Sequence, residues 1–313
     1  MRTKISLSLG LVAIVAAACS SGGASSSPAA SAAASAAAVS AAPSVAPSAT
    51  PDACAPATLA LATPGKLTIG TDNPAYPPYF LETTGGAATA PWQIGDPTNG
   101  TGFESAVGFA IADRMGFAKD AVAWVVVPFA NSFAPGPKAF DFDLNQVNYK
   151  AERTKTADLS NGYYFGNQAL VVLKDSPLAK ATSIAELKDY VYGAQVGTTS
   201  YDAIAALIAP SKAALVYDTN DLAIKALGNK TIDGVIVDLP TADYITNVQV
   251  QNAVIAGQFA GGTPEHFSAV LAKGSPLTDC VNSAIASMTQ DGTLDGLAST
   301  WLPFQDTVPV FKP

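Results

Sequence analysis

A cluster of polar residues near the middle of the chain has the composition needed to bind a small charged molecule. Asn145, Gln146 and Asn148 lie close together, and Arg153 follows five residues after the last of them. The planar guanidinium of arginine offers a fork of N–H donors that matches a carboxylate. The alternation of apolar and polar residues over 140–144 predicts a half-buried β-strand that ends at this cluster. A surface loop with a solvated arginine is the alternative interpretation.

A second group of candidates lies in a proline-rich loop after the predicted strand 67–71. Two adjacent prolines exclude a regular strand or helix there, so a rigid loop should display Tyr76, Tyr79 and Phe80. Open α/β sheets bind their ligands just beyond the strand ends. These aromatic side chains therefore either contact a ligand or pack beneath the loop.

Two later strands also end at residues that could bind charged groups. Thr198 and Thr199 belong to a Gly-Thr-Thr turn at a helix start, where N–H groups and hydroxyls can bind an anion, although both residues are also ordinary helix caps. Asp238 ends another predicted strand, directly before a helix expected to begin at Pro240. Its carboxylate would either point into a cleft or cap that helix.

Alternating strand and helix patterns connect these candidates and predict an α/β fold with mainly parallel sheets. Buried strands are expected for the runs that are apolar on both faces. The predicted strands are 67–71, 121–127, 140–144, 169–173, 191–196, 215–217, 232–237, 254–256 and 268–271. The predicted helices are 103–115, 201–208, 222–227, 277–292 and 294–302, together with a short helix that the capping box 183–186 would open.

The composition excludes some classes of function. The 313 residues include 17 Lys and Arg against 25 Asp and Glu, which gives a formal net charge of −8. Nucleic acid selects a basic surface, so we expect no nucleic-acid partner. One histidine and three cysteines supply few metal ligands, so neither a metal site nor another cofactor is expected.

The N-terminal segment has the layout of an export signal. Basic residues precede an apolar run, and an Ala-Ala-Ala-Cys sequence that resembles a bacterial lipobox ends at Cys19. Residues 1–18 are therefore predicted to be a lipoprotein signal peptide, with ordinary secretory cleavage near Ala18 as the alternative. Segment 19–58 is rich in Ala, Ser and Pro and is predicted to be a disordered tether. An Ala-rich helix is the alternative, which the repeated serines and the prolines at 43, 47 and 51 disfavour.

Two cysteines remain once Cys19 is assigned to lipid. A pair in an exported chain is more often a disulfide than two free thiols, so Cys54 and Cys280 are predicted to be joined. This bond would attach the start of the folded body to the C-terminal helix.

Six segments between about Lys66 and Trp301 carry a family resemblance. They read GTDNPAYPPYF, GFESAVGFAIADRMG, FDFDLNQVNYKAER, VGTTSYDAI, DGVIVDLPTA and DGTLDGLASTWL. In this order they resemble the bacterial extracellular solute-binding proteins of family 3, the polar amino-acid receptors of ABC importers. The resemblance implies the type II periplasmic-binding fold, in which two hinge strands join two closing α/β lobes. Lobe 1 would comprise residues 59–167 and 258–313, and lobe 2 residues 168–257.

The resemblance also implies roles for the candidate residues. Arg153 would hold the α-carboxylate of an amino-acid ligand, Thr199 would assist from lobe 2, and Asp238 would hold the α-ammonium group. Asp72 and Tyr76 match the side-chain end of the pocket. The full set of predicted ligand-binding residues is Asp72, Tyr76, Phe80, Asn145, Gln146, Asn148, Arg153, Thr198, Thr199 and Asp238.

The chain departs from the family pattern at three points, one of which is the 85–101 insertion, longer than usual and interpreted as a mobile segment that could act as a lid. Lys150 stands shortly before the arginine, where it would favour an acidic ligand or face solvent. An aspartate common in the first helix of the family is absent, and Glu104 lies nearby in the first turn, where the helix dipole favours an acid.

The implied function is capture of an amino acid or a similar small polar solute, without chemistry on it. The protein would be a monomer, lipid-anchored on the extracytoplasmic face of the cell membrane, and would deliver its ligand to a permease and its ATPase. Alternatives are an enzyme resembling cyclohexadienyl dehydratases on the same fold, or a ligand-sensing receptor domain. His266 is the sole imidazole available for acid–base chemistry.

Overall fold

The computed structural model describes residues 53–82, 89–260, 265–303 and 307–313. The predicted signal peptide, Cys19 and most of the predicted tether lie outside these residues. The described strands form two five-stranded sheets. In chain order they are β1 (Leu67–Thr71), β2 (Val122–Val126), β3 (Phe142–Asp143), β4 (Ala157–Gly166), β5 (Gln168–Leu173), β6 (Tyr192–Gln195), β7 (Leu215–Tyr217), β8 (Gly234–Asp238), β9 (Ala253–Phe259) and β10 (Glu265–Ala272).

Two of the α-helices in the described residues begin at a threonine that caps them. Thr198 and Thr219 each accept a hydrogen bond from a backbone N–H in the first turn of the helix that follows. In the described residues no helix is both long enough and apolar enough to cross a membrane. The α-helices are α1 (Phe103–Arg114), α2 (Phe129–Ser132), α3 (Thr199–Ala203), α4 (Asn220–Gly228), α5 (Leu239–Tyr244), α6 (Thr278–Gln290) and α7 (Thr293–Trp301), and α3 and α5 continue as the π-helices Ile204–Ile208 and Ile245–Gln249.

Each sheet is mixed, so the prediction of mainly parallel sheets is wrong. The first sheet has the order β2-β1-β3-β10-β4, and the second β7-β6-β8-β5-β9. β1 runs parallel to β2 and β3, and β6 runs parallel to β7 and β8, whereas β10 and β5 are antiparallel to both of their neighbours. In the chain, β4 is followed by β5 after one residue and β9 by β10 after five, and each of these connections joins strands of different sheets.

These two direct connections carry the chain from one sheet to the other and back. They agree with the predicted two-lobed architecture with two hinge strands. We call the part built on the first sheet lobe 1 and the part built on the second sheet lobe 2; the residue boundaries given for the lobes stay a prediction.

Both lobes have an apolar core. The core of lobe 1 contains β1, α1 and α6, so residues from both ends of the chain pack together there. In lobe 2, β5 is fully buried, with Val171 in the cluster on one face and Leu170 in the cluster on the other. This explains why its sequence is apolar at successive positions, as predicted.

The strand predicted for 140–144 differs from the structure. Only two residues form β3, and the segment is buried on both faces, including the acidic Asp141 and Asp143. The carboxylate of Asp141 accepts hydrogen bonds from the N–H groups of Ala62 and Thr68, and these bonds compensate for its burial in the core. The predicted buried strand 121–127 is instead a half-buried edge strand, β2.

The C-terminal residues lie against lobe 2. Phe311 is buried in a lobe 2 cluster, its N–H donates to the carbonyl of Gln258, and its ring lies 5.1 Å from that of Phe259.

The prediction that Cys54 and Cys280 form a disulfide is confirmed, with their Cα atoms 5.5 Å apart.

Candidate functional site

A cavity of about 180 Å³ lies where strand ends of the two lobes meet. The parallel strands β1, β2 and β3 of lobe 1, and β6, β7 and β8 of lobe 2, all end at residues close to it. Ligand sites in α/β sheets are found at such carboxyl ends. The structure brings together all ten predicted ligand-binding residues, since the cavity lining includes Asp72, Tyr76, Phe80, Asn145, Gln146, Asn148, Arg153, Thr198, Thr199 and Asp238.

Arg153 places a buried cation in the cavity wall. Its guanidinium donates to the carbonyl of Asn148 and, across the lobes, to the carbonyl of Gly197 at 2.9 Å. It also lies over the rings of Phe133 and Phe129, at 4.4 and 5.4 Å. Burial lowers the pKa of Arg153 to about 10, so the group stays charged at neutral pH.

No carboxylate lies within 4 Å of this guanidinium in the part of the chain that the structure describes. A buried cation with N–H groups left over from its two carbonyl contacts is suited to an incoming anion.

Asp238 presents the opposite charge on the lobe 2 side. Its Oδ1 accepts hydrogen bonds from Asn148 Nδ2 of lobe 1 at 2.9 Å and from Gln168 Nε2 at 2.7 Å. The side chain makes no hydrogen bond to the first turn of α5, so the cap interpretation does not hold. Burial, followed by the charge of Glu265, raises the pKa of Asp238 to about 7.

Glu265 is a site neighbour that the sequence reasoning missed. Its Oε2 accepts from Thr199 Oγ1 at 2.7 Å and from Gln168 Nε2 at 2.9 Å. Thr199 is therefore held by an acid from the start of β10. No local sequence pattern indicated this, because the contact joins residues 66 positions apart.

The polar loop after β3 is held by Glu104. The carboxylate accepts from the backbone N–H of Gln146 at 2.8 Å, from the Gln146 side chain and from the hydroxyl of Tyr163. Gln146 has the left-handed φ of 48°, which these bonds help to maintain. Glu104 is fully buried, and burial raises its pKa to about 7. It thus positions Gln146, rather than acting through the helix dipole alone.

Asp72, Tyr76 and Asp221 form the other end of the cavity. Asp72 accepts from the backbone N–H groups of Asn73 at 2.8 Å and Phe129 at 3.1 Å. Tyr76 donates its hydroxyl to Asp221 Oδ2 of lobe 2 at 2.7 Å. Burial raises the pKa of Asp72, and the charge of Asp221 adds to the shift. Asp221 was also missed, although its place after the predicted strand 215–217 could have indicated it.

The aromatic residues of the proline-rich loop divide between the two expected roles. Tyr76 and Phe80 line the cavity, whereas Tyr79 is buried, packs against Phe267 and places its hydroxyl 3.0 Å from Thr241 Oγ1 of lobe 2. Lys150 is not part of the cavity lining; it pairs across the lobes with Asp202.

The sequence matches the model of the family described as "Bacterial extracellular solute-binding proteins, family 3" over residues 67–304. It is 28% identical over 240 residues to the L-cystine-binding protein TcyJ of Escherichia coli (strain K12), covering 76% of this chain and 82% of that protein. It is also 28% identical over 218 residues to the arginine-binding extracellular protein ArtP of Bacillus subtilis (strain 168), covering 67% and 81%.

Two solved structures show the same fold. The ancestral amino acid-binding protein AncCDT-1, described as a precursor of cyclohexadienyl dehydratase, is 27% identical with a TM-score of 0.58, covering 76% of this chain and 95% of that one. An ancestral arginine-binding protein bound to glutamine is 24% identical with a TM-score of 0.60, covering 77% and 99%.

Proposed function

The chain belongs to the bacterial extracellular solute-binding proteins of family 3, and we propose that it captures an amino acid between its lobes and delivers it to an ABC importer. The observation that carries this proposal is the pair of opposite charges in one cavity. Arg153 has no carboxylate partner within 4 Å in the described residues, and Asp238 lines the same cavity from the other lobe. The two groups suit the α-carboxylate and the α-ammonium of an amino acid.

The remaining predicted residues supply hydrogen bonds around those two charges. Asn148 bridges them, because its side chain donates to Asp238 and its carbonyl accepts from Arg153. Gln146 and Thr199 offer further polar groups, each oriented by a buried or half-buried acid, Glu104 and Glu265. Thr198 and Phe80 also line the cavity.

Ligand capture would work by a shift of population towards the closed arrangement of the lobes. A ligand that touches both Arg153 and Asp238 contacts the two lobes at once, so it binds the closed arrangement preferentially. Direct contacts between the lobes would support the same state: Arg153 with the Gly197 carbonyl, and Lys150 with Asp202.

The cellular setting is part of the proposal. Residues 1–18 would be removed as a signal peptide, Cys19 would carry the lipid anchor, and the monomeric receptor would act on the extracytoplasmic face of the membrane with a permease and its ATPase. The lipoprotein pattern before Cys19 supports this. Metabolic labelling with a fatty acid tests it: Cys19→Ser should abolish incorporation, and continued labelling would contradict the anchor.

We also propose that the protein performs no chemistry on its ligand. The likeness to AncCDT-1 makes a dehydratase the second candidate. His266, the only histidine of the sequence, stacks on Tyr149 with ring centres 5.4 Å apart and is not part of the cavity lining. Turnover of prephenate or arogenate by the purified protein would overturn this part of the proposal.

The binding proposal is tested by calorimetry and thermal shift with the twenty amino acids and cystine. The protein is first unfolded and refolded to remove any ligand that copurifies. A ligand at 100 times its Kd should stabilise the fold by about 2.7 kcal/mol. The Arg153→Gln variant should bind the same ligand about 10- to 150-fold more weakly, because a charge-assisted hydrogen bond contributes about 1.5–3 kcal/mol.

The matched control is Arg114→Gln, which removes an arginine that pairs with Asp291 away from the cavity. It should leave the affinity unchanged. Absence of binding by every amino acid, or equal affinities of the Arg153 and Arg114 variants, would contradict the proposal.

A further inference from the structure

We propose that Asp221, acting together with Asp72, makes the cavity specific for amino acids whose side chain carries a positive charge. This rests on the function proposed above and deepens it by naming the class of ligand. The two carboxylates line the cavity from different lobes, and Tyr76, from the same loop as Asp72, donates its hydroxyl to Asp221.

The charges of the cavity lining do not balance for a simple zwitterion. In the described chain, the charged side chains that line the cavity are Arg153, Asp72, Asp221 and Asp238. An α-carboxylate and an α-ammonium would pair with Arg153 and Asp238 and add no net charge. Asp72 and Asp221 then remain as two negative charges at one end of the cavity, and their field favours a third ligand charge of positive sign there.

Both carboxylates, Asp72 and Asp221, have hydrogen-bond acceptor positions left for a ligand. Asp221 accepts one hydrogen bond from Tyr76 and a long one, 3.4 Å, from Gln249, while Asp72 accepts two from backbone N–H groups. A carboxylate has about four acceptor positions. No Lys or Arg within the described ranges lies within 4 Å of either group. A ligand cation would therefore be their first charged partner.

Asn145 gives an independent indication that a ligand reaches this end. It is 5% exposed, lines the cavity, and its Nδ2 has no hydrogen-bond partner in the described structure. Gly70 and Asp143 pair in the parallel strands β1 and β3, so Asp72 and Asn145 follow at the same end of neighbouring strands. A buried Nδ2 donor without a partner calls for an acceptor, which a ligand in this part of the cavity would supply.

The aromatic groups at this end suit the same ligand. The rings of Tyr76 and Tyr244 lie 5.6 Å apart, and Tyr76 and Phe80 line the cavity. A guanidinium or ammonium gains from contact with aromatic faces, whereas a ligand carboxylate would be repelled by Asp72 and Asp221.

The test compares arginine with citrulline, which has nearly the same shape but a neutral side chain. Calorimetry on the purified protein should give a Kd for arginine about tenfold or more below that for citrulline, because a charge-assisted hydrogen bond is stronger than a neutral one. Asp221→Asn should weaken arginine binding about two- to fivefold, since Asp221 is exposed. Asp72→Asn, at a half-buried carboxylate, should weaken it more, and neither change should weaken citrulline binding.

The matched control is Asp218→Asn, which removes the same charge from an exposed residue that does not line the cavity. It should leave the ratio of the two affinities unchanged. Circular dichroism confirms that each variant is folded. Equal or tighter binding of citrulline, or equal effects of the Asp221 and Asp218 changes, would overturn the specificity while leaving amino-acid capture intact. Failure of every amino acid to bind would overturn both.

Discussion

Substitution of Glu104 by glutamine should change how the stability of the protein depends on pH. The Glu104 carboxyl is fully buried, and its pKa is raised from 4.5 to about 7, chiefly by burial. The bonds from Tyr163 and Gln146 oppose the shift without cancelling it. The folded protein therefore holds a proton that the unfolded chain releases between pH 4.5 and about 7.

The sign and size of the effect follow from this difference. Because the folded-state pKa of an acid is raised, the group's stabilising contribution is present below pH 4.5 and is lost as pH rises towards 7. The rise corresponds to about 3 kcal/mol, at roughly 1.4 kcal/mol for each pKa unit. Glu104→Gln cannot ionise, so its stability relative to the wild type should increase by about 3 kcal/mol between pH 4.5 and pH 8.

The assay is urea denaturation of both proteins at several pH values, followed by tryptophan fluorescence. The difference in free energy of unfolding isolates Glu104, because every other titrating group is common to both proteins. Glu82→Gln, at an exposed position, is the control for the loss of one glutamate carboxylate outside the core. A pH-independent difference for Glu104→Gln, or one of the opposite slope, would refute the reasoning.

Two further predictions concern contacts found only in the structure. Lys150→Gln removes the Lys150–Asp202 pair between the lobes, which is partly exposed, and should raise the Kd of the ligand by up to about fivefold in calorimetry. Asp202→Asn should do the same, and an additive double variant would show that the two residues act separately. Phe311→Ala should lower the free energy of unfolding by about 3 kcal/mol in urea, since the ring is 4% exposed within a lobe 2 cluster. A loss under about 0.5 kcal/mol would mean that the tail does not contribute to the core.

Local patterns were sufficient for elements whose partners lie nearby in sequence. The apolar run of β5 and the periodic apolar residues of α1 and α6 gave the right element type within a few residues. The alternation of apolar and polar residues at 140–144 predicted a half-buried strand, which is wrong. Asp141 is buried because it accepts hydrogen bonds from the N–H groups of residues 62 and 68, which are far away in the chain. Alternation of apolar and polar residues indicates a strand with one solvent-exposed face only when no other segment of the chain covers that face.

In the candidate site, too, local sequence patterns identified some residues and missed others that depend on contacts between distant parts of the chain. The residues named from the sequence all follow strand ends, and the structure collects them because parallel strands end at one edge. Glu265 lies at the beginning of a strand that returns from the other lobe, so the same rule could not find it. Asp221 obeys the rule but sits in the first turn of α4, where an acid is equally expected for the helix dipole.

The acids near Arg153 explain how ligand charge and lobe closure would be coupled. Burial, and after it the charge of Glu265 from the start of β10, raises the pKa of Asp238 of lobe 2. Bringing such groups together in a closed cleft is costly unless a cation joins them. An α-ammonium group would supply that cation only when the lobes are closed around it. The ligand's differential affinity for the closed arrangement would then come from relief of this repulsion as well as from new hydrogen bonds.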